Sequence, residues 1–261
     1  MKISPRRMRW LLIIGFLAVW ELAPRITGVP PVLIPTLSLT LISGFEQMDV
    51  FVENFFVTVR EVFAAILISC LLGVSIGAIL GGNRFLSRAM LPLASSLYAV
   101  PLVILYPLFT VWLGIGAPSK IAFGAFFGVF PTMLATASGV ATIPRQFRVL
   151  AYSYRLNLFQ ETVRVLIPAT IPTVLNGLRL GGALAIVGVI VSEMLASTSG
   201  IGYLISYYRT LLETPLVFFA IVFVIVLVTA FDMAMRKLEN LVKHWMPEKS
   251  DGSETLSLSA G

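Results

Sequence analysis

The sequence predicts an all-α, polytopic membrane protein with about six transmembrane helices. Three observations predict it. Hydrophobic residues make up 57% of the 261-residue chain and charged residues only 12%, whereas a soluble domain carries about 25% charged residues. The deficit is concentrated, because Val62 to Asn83, Ala89 to Ser119, Ile121 to Pro144 and Thr214 to Phe231 contain no charge at all. Basic residues cluster between these runs. An apolar run of about 18 residues is long enough to cross a bilayer as a helix. Soluble helices of that length and character would have no polar face to turn to water.

The spans follow in order. The first, Trp10 to Ile26, has a basic start in Lys2, Arg6, Arg7 and Arg9, like a signal peptide, but Glu21, Pro24 and Arg25 follow and no Ala-x-Ala site stands out. It is read as an uncleaved span. The others are Val57 to Leu80, Met90 to Leu113, Ile121 to Thr142, Pro172 to Leu195 and Leu216 to Met235. The segment Gly28 to Phe56, rich in proline at its start and acidic at its end, is an outer segment with room for a short surface helix. Residues 1–246 are expected to form one transmembrane domain and residues 247–261 a polar, disordered tail. No internal repeat is visible, against an inverted-repeat transporter.

Fourteen Lys and Arg residues fall on the side of the N-terminus and four on the other, with Arg179 inside the fifth span. This bias puts both termini in the cytoplasm. The net charge of +6 is therefore a topology signal with affinity for anionic lipid, and no nucleic acid is implied. The single cysteine, Cys70, excludes an intramolecular disulfide, and the one histidine, His244, has no Cys or His cluster around it. No metal or cofactor is expected.

The inner segment between the fourth and fifth spans, about residues 143–171, is organised. Phe147, Leu150, Ala151, Tyr154 and Leu158 fall on one helical face. Asn157 and Gln160 have the spacing of a capping pair that starts a second helix. Two readings stand on these residues alone: an amphipathic hairpin resting on headgroups, or a docking surface for a cytoplasmic partner.

This segment resembles the coupling loop of bacterial ABC-importer permeases, whose pattern is Glu-Ala-Ala, three residues, Gly, nine residues, Ile-x-Leu-Pro. Laid over Val149 to Pro168, Ala151 and Pro168 match and Val165 and Ile167 are conservative. Val149 stands for the Glu, Leu150 for an Ala and Arg155 for the Gly. Flanking motifs resemble the nitrate, sulfonate and taurine group in the same order: Val100-Pro101-Leu102, Trp112-Leu113-Gly114-Ile115-Gly116, Gly177-Leu178-Arg179, Ser192-Glu193-Met194 and Gly200-Ile201-Gly202-Tyr203. The resemblance runs from about Val32 to Trp245.

It implies the type I importer permease fold and a subunit that forms the translocation path for a small solute of the sulfonate, nitrate, taurine or vitamin-precursor class. It also implies a cytoplasmic ATP-binding-cassette ATPase dimer, an extracytoplasmic substrate-binding protein, a second permease copy, and location in the bacterial inner membrane. Arg148, Val149, Ala151, Tyr154, Arg155 and Pro168 are then the ATPase-coupling residues. Two of the three departures, Val149 and Arg155, imply docking by shape and by Arg145, Arg148 and Arg155. No Gly-x-x-x-x-Gly-Lys-Ser/Thr stretch occurs, which agrees with a non-enzymatic chain whose ATPase is separate.

Arg179 and Glu193 are the charges within the fifth span, 14 positions and about 21 Å apart along a helix. They either line the translocation path or reach to opposite membrane surfaces. Pro92, Pro101 and Pro107 permit bends in the third span. Gly73, Gly77, Gly81 and Gly82 suggest close helix packing in the second. Trp112 and Trp245 read as interface anchors. The rivals are an ion-driven secondary transporter, disfavoured by sparse intramembrane charge, a structural anchor, which needs no organised loop, and a membrane enzyme, for which no paired carboxylates or Ser/His pair is visible among the spans.

Overall fold

The computed structural model describes residues 4–143, 153, 154, 157, 160, 164 and 167–242. The helices are α1 (Pro5–Thr27), α2 (Leu37–Glu46), α3 (Met48–Gly82), α4 (Arg84–Tyr98), α5 (Tyr106–Leu113), α6 (Ala117–Ala141), α7 (Ile167–Leu195), α8 (Ile201–Thr210) and α9 (Thr214–Val242), with a 3₁₀ turn at Leu102–Leu105. Among the described residues there is no strand. Five helices, α1, α3, α6, α7 and α9, are long and apolar enough to cross a bilayer. The pair α4 and Leu102–Leu113 makes a sixth if it counts as one span.

That pair corrects one expectation. The third span is not a continuous helix from Met90 to Leu113 but two helical pieces bent by 86°. Pro101 explains the break. It has no N–H to continue the ladder and disfavours helical geometry at Val100. Pro107 restarts the helix near its first position, where a missing N–H costs nothing. Pro92 lies inside α4 without ending it.

The core is a packed triplet of α3, α6 and α7. The buried side of α3 reads Thr58, Glu61, Val62, Ala65, Ser69, Gly73, Gly77 and Leu80, a stripe at helical spacing made largely of small residues. Small residues let backbones approach closely where no water drives them together. A Cβ at Gly77 would meet the Met133 carbonyl and Thr136 of α6, and one at Gly81 would meet the Ala137 carbonyl. Gly73 faces Thr132 in the same way, whereas Gly82 faces open space and takes no part in the packing. From α7, a Cβ at Gly181 would meet the same Thr132 and the Gly128 carbonyl. Val62, Ala65, Ala125, Ala185, Ile186, Val189 and Leu227 close the centre, bringing α9 against the triplet.

The outer surfaces of these helices are apolar and exposed, as a lipid environment requires. This is clearest on α1, where Trp10, Leu12, Ile14, Phe16 and Val19 are all exposed. Its second half is tied to α2 and α9. The Trp20 indole donates to the Pro35 carbonyl at 3.1 Å and packs against Phe218 of α9. Ser38 of α2 donates its N–H and hydroxyl to the Glu21 carboxylate. The free Cys70 is half-buried on α3.

Candidate functional site

The helices α2 and α8, the turn at 196–200, the start of α3 and α6 and the end of α7 share one end of the molecule. A second core cluster gathers there: Phe51, Ile201, Leu204, Tyr208, Leu216, Phe219 and Ala220. Tyr208 donates its phenol to Gln47 Oε1 at the α2–α3 junction. Burial, helped by neighbouring Tyr207, Tyr203 and Glu213, pushes the Tyr208 phenol up, so it remains a donor at neutral pH.

The α8 N-terminus is capped entirely from other elements. Residue 200 is a glycine at φ 107°, with no side chain to supply a cap. The Gly200 N–H donates to Asn54 Oδ1 at 2.7 Å, the Ile201 N–H to Thr58 Oγ1 at 2.8 Å and the Gly202 N–H to Glu193 Oε2 at 2.8 Å. Three donors that a helix start leaves free are thus satisfied by two residues of α3 and one of α7. The Glu193 carboxylate also lies at the positive end of the α8 dipole. Thr58 does two jobs: its hydroxyl accepts from Ile201 and donates to Glu193 Oε1 at 2.8 Å. Both glycines of Gly200-Ile201-Gly202 are needed for this approach. A Cβ at either would meet Glu193, and position 200 also has the left-handed φ that favours glycine.

Behind this cap lies a buried ion pair. Lys120 Nζ stands 2.6 Å from Glu61 Oε1, with the two side chains 2% and 6% exposed. Lys120 also donates to Ser197 Oγ in the turn at 3.1 Å. Glu193 neighbours Glu61, so two carboxylates and one ammonium share the site. Glu61 Oε2 is buried without a hydrogen-bond partner among the described residues. Tyr106 of α5 is buried and donates to the Ala196 carbonyl at 3.3 Å, tying the bent pair to the same turn.

This arrangement overturns one expectation, because two carboxylates, Glu61 and Glu193, do come together among the spans. It also buries Lys120, one of the four basic residues counted on the side away from the N-terminus. Glu61 and Lys120 border charge-free runs in the sequence. Glu61 also falls in phase with the small buried residues of α3, which is the signal that marks it as inward-facing.

Of the other residues singled out, Arg179 lies about two-fifths exposed toward the opposite end, paired with Asp232 and Glu239 of α9. Asp232 also takes Arg236 at 2.7 Å. Glu193 is buried in the cap just described. Pro168 is half-buried in the first turn of α7, which begins five residues before the expected Pro172. Tyr154 is exposed. Arg148, Val149, Ala151, Arg155, Trp245 and residues 247–261 lie outside the described residues. The Asn157–Gln160 capping pair is present: the Gln160 N–H donates to Asn157 Oδ1 at 2.8 Å, and the Asn157 N–H to Gln160 Oε1 at 3.2 Å. Trp112 is exposed at the end of α5. Among the described residues no group of His, Cys, Asp and Glu is placed to hold a metal ion.

Residues 69–244 match the family model described as "Binding-protein-dependent transport system inner membrane component". The chain belongs to this family. The permease is 27% identical to the formylaminopyrimidine transport permease protein ThiX of Halalkalibacterium halodurans over 90% of its own length and 94% of that protein. It is 23% identical to the taurine transport system permease protein TauC of Escherichia coli, covering 95% and 97% respectively. In fold it resembles a chain of the inward-facing MetNI methionine ABC transporter, with a TM-score of 0.59 at 16% identity over 77% of this chain and 99% of that one. This chain is a multi-pass inner-membrane permease subunit of the ABC-importer class, and it works with ATPase and substrate-binding subunits.

Proposed function

We propose that the permease forms, with a second copy of itself, the path by which a small solute of the vitamin-precursor, taurine, sulfonate or nitrate class crosses the membrane. In this reading both termini are cytoplasmic, the segment 143–171 couples to an ATPase dimer, and the chain itself hydrolyses nothing. Residues 1–246 act as one transmembrane domain and 247–261 as a disordered tail. The observation that carries the coupling role is the reciprocal Asn157–Gln160 cap between α6 and α7. It is the geometry of a helix start, in the segment that joins the two most deeply packed spans. Arg148, Val149, Ala151, Tyr154 and Arg155 are the contact residues, and Pro168 begins the span that receives the motion. Arg179 borders the path at its inner end, and Glu193 shapes it at the outer end through α8.

Reconstitution in proteoliposomes tests the reading. The permease with its ATPase and binding protein is expected to take up solute on ATP addition. The purified chain alone is expected to bind no nucleotide at micromolar concentration. Uptake that persists without the ATPase, driven by an ion gradient, would point to the secondary-transporter alternative and sink the proposal. Orientation is tested separately by reporter fusions after Glu46 and after Lys243, which should report opposite compartments. The same compartment for both would overturn it.

A further inference from the structure

We infer that Glu193 and Thr58 are positioning residues for transport: together they fix α8 to the far end of α7 and to the start of α3, so that displacement of the coupling segment reaches the outer surface. The inference rests on the importer reading above.

Helix α7 is a single 29-residue helix from Ile167 to Leu195, about 43 Å long. Its first turn is the end of the proposed coupling segment, and Glu193 sits in its last turn. It packs on α6, with Pro172 inside it near its start, and so carries the coupling end and Glu193 on one element. What it moves at the far end depends on what is bonded there.

The bonds at that end come from outside α8. The turn between α7 and α8 is only five residues, 196–200, and α8 has no cap of its own. Its N-terminus is held by Glu193 from α7 and by Asn54 and Thr58 from α3. Ser206 Oγ adds a bond from α8 back to the Met194 carbonyl at 2.9 Å. The Thr58 hydroxyl joins the two anchoring helices, because it contacts the α8 backbone and the α7 carboxylate together. With these bonds made, the end of α7, the turn, α8 and the start of α3 are joined and move as one piece. Without them, the start of α8 is held only by apolar contacts, which have no preferred direction, while Tyr208 still ties its far end to Gln47, and α8 lags behind α7. Helix α8 also forms one wall of the polar cleft lined by Glu46, Gln47, Tyr207 and Glu213. A lag there would separate the inner event from the outer one.

Thr58→Val and Thr58→Ser separate positioning from folding. Valine keeps the shape but leaves the Ile201 N–H and one Glu193 oxygen without their partner. Serine keeps the hydroxyl. The assay is solute taken up per ATP hydrolysed in proteoliposomes holding the complete complex, with thermal stability of each variant in detergent measured alongside. T58V is expected to lower that ratio by about tenfold, the size of one buried bond lost, while ATP hydrolysis continues. T58S is expected to restore it. A T58V ratio equal to wild type would overturn the inference. So would uptake and hydrolysis falling in parallel with lowered stability, which is a folding role. Failure of the wild-type complex to couple uptake to ATP would instead sink the importer reading on its own.

Discussion

Lys120→Met is expected to destabilise the permease by about 3–5 kcal/mol, the typical cost of removing one member of a buried ion pair. Methionine is close to lysine in length and is apolar, so packing around position 120 changes little. What changes is Glu61. Its Oε1 loses a partner at 2.6 Å, and its Oε2 has none among the described residues. The carboxylate, in a residue 4% exposed, is then buried beside a second carboxylate, Glu193, with no cation between them. The Ser197 hydroxyl also loses its donor, loosening the turn before α8. Replacing Glu61 with leucine as well should recover most of the loss, because a well-packed apolar pair has no buried charge to compensate. The four proteins form a double-mutant cycle, read as denaturation midpoints in detergent micelles. A midpoint for Lys120→Met within about 1 kcal/mol of wild type would mean that water or lipid headgroups already solvate the pair.

The contrast with Arg179 sets the scale. Its partners Asp232 and Glu239 are a quarter to a third exposed, and the guanidinium itself 37%. Solvent screens pairs this open, and they contribute little to stability. Yet Arg179 is the more visible charge in the sequence, because it interrupts an apolar run. Lys120 sits where a helix emerges from a glycine-rich turn, and at that position an outer-loop cation and a buried one look alike. Its partner Glu61 is 59 positions away, and no local periodicity connects the two. The span count was legible because apolar length alone sets it. The glycine face of α3 was legible up to Gly81, because small residues at helical spacing have one physical use in a membrane. Gly82 falls outside that face. The three prolines announced a bend in the third span, but its position depends on how each ring sits against the preceding turn. Pro92 is accommodated inside α4 while Pro101 ends the ladder. The cap of α8 was hidden for the same reason as the ion pair: its acceptors come from residues 54, 58 and 193, distant in sequence or on another helix.

Ala151→Trp is expected to uncouple the complex, abolishing most solute uptake while leaving insertion of the permease into the membrane intact. By its spacing in the sequence Ala151 falls on one helical face with Phe147, Leu150, Tyr154 and Leu158. Of these residues Tyr154 is described, and it is 74% exposed. In the proposed coupling role the ATPase covers it, and the small residue at 151 marks the closest approach. An indole there overpacks the contact, at a typical cost of about 1–3 kcal/mol, or roughly a 5- to 150-fold loss of affinity for the ATPase. Insertion is spared because the apolar spans on either side are unchanged. Arg155→Gly separates the two accounts of the departure from the family pattern. If Arg155 pairs with an acidic group on the ATPase, the glycine variant binds more weakly and its binding depends less on salt. If it is only a tolerated residue in a turn, glycine is neutral or improves assembly, because it adopts left-handed backbone at no steric cost. Cysteines at Arg148, Ala151 and Tyr154 should then crosslink to the ATPase in the assembled complex. Efficient crosslinks from the Arg84 to Arg88 segment, with none from those three positions, would remove segment 143–171 from the coupling mechanism.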